Sequence, residues 1–542
     1  MSAIRVALIV CCLQLAFLSD RQAVGETPVT GVVLDSKTKV PIPARIYLQA
    51  VPAKIWHFVE PAVTEGKVVV YDKKRSEQSV ERHTSVSADP FRVELPRGEY
   101  QITIEQGKEY IPLKRKIVVD EKPLSLTFSL ERWSRVADDG WYSGDTHVHR
   151  TMEDLPVAML AEDLNVALPL NYWVTRSHTP PSSGDTNPAG QFGAGLMEVD
   201  STHVIYPMNT EYEIFTVKGQ RHTLGAVFVL NHQKPFDIGV PPVTPIMREA
   251  RKQGALLDLD KHSWPWSLML VPTMNVDLFE LSNNHLWRTD FFFKSWTKEV
   301  HPDDWEVESD DQGWTERGWM DFGFKCYYAL LNCGFDMKPS AGTASGVHPV
   351  PLGFGRVYVH VEEPFTYGKW IEGLAAGRSF VTTGPMLDVT FNGKRPGSRF
   401  RFEGDRPFSL EAKGSCTYYE PVSRLEIIIN GEVVKTLKPQ PHQLDNGAYR
   451  YKFDYEHPIS DSSWMAVRGF SETGGRVRFV HSAPVHVDVP SRPLRPKRKE
   501  IRYFVRRMEE EITRNRSVLD TESLAEYEEA LKTFRQLEKT AR

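Results

Sequence analysis

The chain has 542 residues, 41% of them hydrophobic, and a net charge of −5 at pH 7. That is apolar material for about three to four domains with real cores, and the mildly acidic balance gives no electrostatic case for nucleic-acid binding. Past Leu18 no apolar run is long enough to cross a bilayer, so no integral membrane segment is expected once a leader is removed.

The first 25 residues read as a signal peptide. Arg5 supplies the positive charge, Val6 to Leu18 the apolar run, and Ala23 and Gly25 the small residues before a cleavage site ahead of Glu26. An uncleaved N-terminal anchor is the alternative, and the expected location is exported, periplasmic or secreted. Cys326, Cys333 and Cys416 form no C-x-x-C pair, so neither a zinc knuckle nor a disulfide framework is indicated.

Residues 26–132 carry short alternating runs such as 30–34, 44–48, 67–71, 100–104 and 116–120, separated by Gly, Pro and Asp, which predict a small antiparallel β-sandwich. The phrases 31–35, 41–47 and 95–100 resemble regulatory-like sandwiches beside extracellular catalytic domains, which implies a spacer or docking role. Over 139–385 strand-like runs alternate with helical stretches such as 155–164 and 245–253, which predicts a parallel α/β layout with polar residues at successive strand ends. Alternation returns over 386–489, with Asn430-Gly431 as a tight-hairpin signal, and predicts a second antiparallel sandwich. Residues 490–542 read as a Pro/Arg linker and two charged helices at 501–508 and 519–537, and the basic cluster 492–499 as a solvated linker, with contact to an anionic surface as the alternative.

The chemistry concentrates in Asp145-Thr-His-Val-His149. In a strand these alternate side chains share one face, so a carboxylate and two imidazoles project together, as half of a site for zinc, iron or manganese. Two exposed histidines on an edge strand would give the same pattern. Later strand-like runs end in His178, Glu211 with Glu213, His222 and His232. Asp258, Asp260 and His262 repeat the two-residue alternation of acid and imidazole, and Glu280, His285 and His348 come after them. His262 is expected to be a ligand. Asp258 and Asp260 are expected to support the histidines or, with Glu280, to accept a proton.

The order of these segments resembles the PHP (polymerase and histidinol phosphatase) superfamily, whose opening Asp-x-His-x-His is matched by Asp145, His147 and His149. Gly355-Arg-Val-Tyr-Val359 and the run Trp370 to Pro385 are similar to the carbaryl-hydrolase type, the CehA/McbA-like metallohydrolases. The resemblance covers about 139–393. It implies a multidomain α+β protein with a central distorted, seven-stranded α/β barrel holding one to three divalent ions (Zn, Mn or Fe) on His147, His149, His178, Glu211, His262 and His348. The chain departs from the family where Ser177 replaces the acid of Thr-Asp-His. It departs again at Gly342-Thr-Ala-Ser-Gly-Val-His348, which lacks an Asp and displaces the histidine.

The expected function is a metal-dependent hydrolase acting through activated water on an ester, carbamate, amide or phosphoester, with no Ser or Cys nucleophile. Trp173, Trp264, Trp266 and Trp287 point to a flat or sugar-like small molecule, or to packing alone. The alternative is a non-catalytic envelope protein with a degraded metal site that binds glycan or protein.

Overall fold

In the first strand, Thr27–Asp35, buried and more exposed residues alternate at every step, the period-2 pattern of a sheet with one face in a core. This computed structural model describes residues 26–542 except 78, 184–186, 188–191, 262–263, 289–304, 405–406 and 439, so the leader lies outside the described residues. The N-terminal part is two sheets around one core that includes Val33, Ile46, Phe91, Ile102 and Phe128. One departure is that Thr27–Asp35 pairs in parallel with Leu124–Leu130 and antiparallel with Phe91–Leu95. Side-chain alternation is the same in both kinds of ladder, so the sequence could not tell them apart.

Two sheets share the central region. A six-stranded sheet runs in the order Tyr172–Arg176, Thr210–Val217, Gln220–Leu230, Leu256–Leu259, Leu278–Ser282 and Lys338–Ala341. It is mixed rather than parallel: Thr210–Val217 and Gln220–Leu230 form an antiparallel hairpin, and Gln220–Leu230 and Leu256–Leu259 also run antiparallel. The hairpin turn is Lys218-Gly219, at φ 50° and 76°, the doubly left-handed turn that matches strand twist. The other sheet has twelve strands, and in it the buried strand Trp141–Val148 lies between Val166–Pro169 and Arg356–His360. Among the described residues the ladders do not close these strands into one ring.

The twelve-stranded sheet continues past position 385 through Arg476–Ser482, Ser463–Thr473 and Arg424–Ile429, so no break in hydrogen bonding separates the central region from the strands C-terminal to it. A separate four-stranded sheet, including Met386–Phe391 and Phe408–Tyr418, covers its face over a core that takes in Trp133 and Trp141. Asn430-Gly431 turns the hairpin between Arg424–Ile429 and Glu432–Leu437, as its sequence predicts.

Of seven α-helices among the described residues, the last two, Arg498–Asn515 and Thr521–Thr540, fold back onto the main core through Ile501, Phe504, Met508, Tyr527 and Phe534. The Glu526 carboxylate accepts from the backbone N–H groups of Val243 and Thr244, which caps the helix Thr244–Gln253. No described helix is long and apolar enough to cross a membrane.

Candidate metal centre

The strand Trp141–Val148 is buried along its whole length, so its polar residues must find partners inside the protein. Asp145 finds four: the N–H groups of His147, Thr343 and Gly353 and the Thr343 hydroxyl. Asp145 therefore fastens the Gly342–His348 loop beneath the strand end, and its oxygens are spent there rather than on a shared donor set. Burial pushes its carboxyl up to about 6 against those hydrogen bonds. The same loop holds the two imidazoles by their backbone, because Ala344 N–H donates to the His147 carbonyl and His149 N–H to that of Ser345.

His147 and His149 face the six-stranded sheet. His149 Nε2 lies 3.0 Å from Glu211 Oε2, and His147 Nδ1 lies 3.2 Å from Glu280 Oε1 and 3.7 Å from Asp260 Oδ1. These side chains form three sets of donors that could hold a divalent ion: His147, His149 and Glu211; His147, Asp260 and Glu280; and Glu211, Glu213 and Asp260. Despite the closeness, His149 Nδ1, Glu211 Oε2, Asp260 Oδ1 and Glu280 Oε2 are buried without a hydrogen-bond partner. His147 Nδ1 and Glu280 Oε1 share a hydrogen bond, whereas His149 Nε2 and Glu211 Oε2 converge at 3.0 Å without one, a spacing that fits a shared cation, since zinc ligands lie about 2.0–2.2 Å from the ion. The donor set of imidazole and carboxylate suits zinc, manganese or iron.

Electrostatics agree. Burial, reinforced by neighbouring cationic groups, holds His147 well below the usual imidazole range, and burial takes His149 down to about 4. Both rings are thus neutral, as metal ligation requires. Burial pushes Glu211 and Glu213 up to about 8 and Asp258 up to about 7, with neighbouring acids adding to it. Glu280 is raised well above the carboxylate range by burial and by Asp260. A cluster of buried acids that resists ionisation is one that a divalent cation stabilises.

Gly342 makes the approach possible. A Cβ there would stand 2.1 Å from both Glu280 Oε1 and His147 Cβ.

The fold brings only some of the sequence-predicted residues to this point. His147, His149, Glu211, Asp260 and Glu280 come together. Asp258 accepts from Ser340 Oγ and Thr146 Oγ1, so it is a braced neighbour of the centre and not a free base. His178 departs from its expected role: it is exposed, at φ 57°, and close enough to Asp520 to influence its charge. The strand Tyr172–Arg176 passes the centre at Trp173, whose ring packs 5.2 Å from that of His149, and His178 lies five residues further on. His262 falls outside the described residues. Among the described residues His348 belongs to no donor set, and its Nδ1 lies 3.3 Å from Arg75 Nη1. His222 and His232 pair with Asn515 and Thr210.

Beside the centre opens a cavity of about 440 Å3 whose lining includes Trp173, Glu213, Phe215, Arg221, Lys261 and Trp264. Trp266 and Trp287, by contrast, are core residues. Two features were missed by sequence reasoning. Lys261, 2% exposed, makes an ion pair with Asp260 and lies over the Trp264 ring. Its position after Asp260 is the one signal that could have found it. The other is the N-terminal sheet, whose expected role is spacing or docking: Tyr71 donates to the His348 carbonyl and accepts from Gly346 N–H, and Arg75 reaches the cavity wall.

No protein-family model matches the chain, and no curated protein does. A solved two-domain protein from Bacteroides vulgatus, described as containing a predicted PHP-like metal-dependent phosphoesterase, is similar at 11% identity and a TM-score of 0.28, over 65% of this chain and 96% of that one. A likeness at that score leaves the functional assignment to the residues of the centre themselves.

Proposed function

We propose that the protein is a divalent-metal-dependent hydrolase of PHP type, exported, acting on a phosphoester that carries a flat apolar group. The observation that carries this reading is the convergence of His147, His149, Glu211, Asp260 and Glu280, with an oxygen of each of the three acids buried and unpartnered, beside an open cavity. A divalent ion bound there supplies a lowered pKa for water and polarisation of the scissile bond. The protein does the rest. Arg75, Arg221 and Lys261 give the cavity a cationic wall, which favours an anionic substrate over a neutral carbamate or ester. Trp173, Phe215 and Trp264 offer ring faces to the rest of the molecule.

The proton from water goes to Glu213, the one carboxylate among the described residues that lines the cavity. Of the acids first expected in that role, Asp258 is braced by two hydroxyls, Asp260 is paired with Lys261, and Glu280 faces His147. The leader-like start of the chain supports export.

The test is to strip the protein with a chelator and reload it with Mn2+, Zn2+ or Fe2+. Chromogenic aryl phosphate mono- and diesters are then offered beside an aryl carbamate and an aryl acetate. Metal-dependent turnover of a phosphoester is expected. Failure to retain any divalent ion, or no turnover of the whole panel with all three metals, overturns the reading.

A further inference from the structure

Where the N-terminal sheets, the central region and the strands after position 385 meet lies a second cavity, of about 220 Å3, which shares no lining residue with the first. Its wall is rich in cations. Arg45, Lys108, Arg288 and Arg478 line it, against two acids, Glu105 and Glu162. Both acids are already taken: Arg45 pairs with each of them, and Arg288 Nη1 lies 3.7 Å from Glu105 Oε1. We infer that this cavity is a binding site for a small doubly charged oxyanion, of the inorganic phosphate type, held by Lys108 and Arg478.

The inference is independent of the metal-centre reading. Lys108 carries it. Among the described residues its ammonium makes no ion pair; it donates to the Thr383 carbonyl at 2.9 Å and lies 4.2 Å from the centre of the Phe354 ring. Arg478 stands on the same ring, with its guanidinium carbon 4.9 Å from the centre, so two cations share one aromatic side chain. The acid that Arg478 meets, Glu316 at 3.7 Å, also faces Arg476 at 4.0 Å. Beside them Arg356, 1% exposed, spends its donors on the carbonyls of Gly353, Asp163 and Glu162. Burial, reinforced by Arg356, Arg478 and Arg45, pushes the Lys108 ammonium well below its ordinary range, and a bound anion would reverse that push. Size narrows the class. A water's share of liquid volume is about 30 Å3, so the cavity has room for a tetrahedral oxyanion with a few waters and is small for a nucleotide. Charge narrows it further, because two cations beyond those that the lining acids use match a dianion better than a monocarboxylate. Lys108, Phe354 and Arg478 come from the three parts in turn, so the anion would tie them together at one point.

The experiment titrates inorganic phosphate into the full chain, stripped of metal with a chelator, followed by isothermal titration calorimetry and by melting temperature. One phosphate per chain and a rise in melting temperature are expected. Lys108→Met is expected to weaken that binding by about 10-fold or more. Because it removes a crowded cation, its melting temperature in phosphate-free buffer is expected to equal or exceed that of wild type. Arg478→Gln is expected to weaken phosphate by a similar factor, and it serves as the measure if Lys108→Met does not fold. Arg221→Gln, in the first cavity, is expected to leave the binding unchanged, and succinate to bind more weakly than phosphate. No saturable phosphate binding, binding undiminished in either Lys108→Met or Arg478→Gln, loss of the site in Arg221→Gln, or tighter binding of succinate overturns the inference.

Discussion

Two clusters of buried charge in this protein use the same residue types to opposite ends. At the junction of the N-terminal sheets with the central region, Arg45 pairs with Glu105 and Glu162, while Glu81 receives Tyr47, His83 and Arg288. In the candidate centre, Glu211, Asp260 and Glu280 each keep an oxygen without a hydrogen bond. The acid groups respond accordingly. Burial would raise Glu81, but Arg288, His83 and Arg45 outweigh it and hold the carboxyl near 2, whereas Glu211 and Glu213 are pushed up to about 8. A buried acid held low by surrounding cations is part of the architecture; acids that share a single lysine, Lys261, and keep bare oxygens leave room for a ligand.

The largest effects should separate the two clusters most cleanly. His147→Ala is expected to remove bound metal and lower hydrolysis by more than about 100-fold, with the far-UV circular dichroism unchanged, because it deletes a member of two donor sets. Arg45→Ala is expected to cost about 3–5 kcal/mol of stability in denaturant unfolding, because it leaves buried carboxylates uncompensated. Metal content per folded molecule should not change. Loss of metal on Arg45→Ala, or loss of fold on His147→Ala, would erase the distinction.

Gly342→Ala comes next. Its Cβ meets Glu280 and His147, so metal affinity is expected to fall about 10- to 100-fold, read by competition with a chromogenic chelator.

Titration gives a smaller effect with a definite sign. Glu211 and Glu213 have folded values of about 8, above the unfolded carboxylate range, so the metal-free folded state binds more protons than the unfolded one. The stability they contribute is present at low pH and lost as pH rises through 8. Between about pH 7.5 and 8.5, a pH unit or more above the ordinary imidazole value of about 6.5, His147 and His149, held lower still in the folded state, titrate little in either state. The melting temperature of chelator-treated protein is therefore expected to fall across that window, and excess Mn2+ to remove the fall. A metal-free melting temperature that climbs there would contradict the assignment. For Glu81, held near 2, the sign reverses: its stability is present above the ordinary carboxylate range and lost as pH falls toward 2.

The smallest effect tests whether the N-terminal sheet shapes the cavity. Tyr71→Phe removes the hydroxyl between Gly346 N–H and the His348 carbonyl, at about 1 kcal/mol of stability. A rise in KM with little change in kcat is expected, and unchanged kinetics would reduce the contact to packing.

Much of the candidate site was legible because strand alternation puts every second side chain on one face. That rule singled out His147 and His149, and it drew attention to the acids of Leu256–Leu259 and its continuation. It failed at Asp145, which shares the pattern but spends its oxygens on the Thr343 loop, and at His178, where the chain has already passed the centre. It also missed Lys261, because a lysine after an acid reads as a surface pair unless burial is known.

The sequence by itself determined the local grammar: alternating strands, the Asn430-Gly431 hairpin, two charged C-terminal helices and a strand bearing two imidazoles. Tertiary structure alone decided which acids those imidazoles meet. His147 and Glu280 are 133 positions apart, and Tyr71 and His348 are 277 apart. Side-chain period is a property of one strand, and it carries no record of which sheet will face it. The convergence of donors, and the ammonium of Lys261 among them, exists only once two central sheets and the N-terminal sheet have closed on the same point.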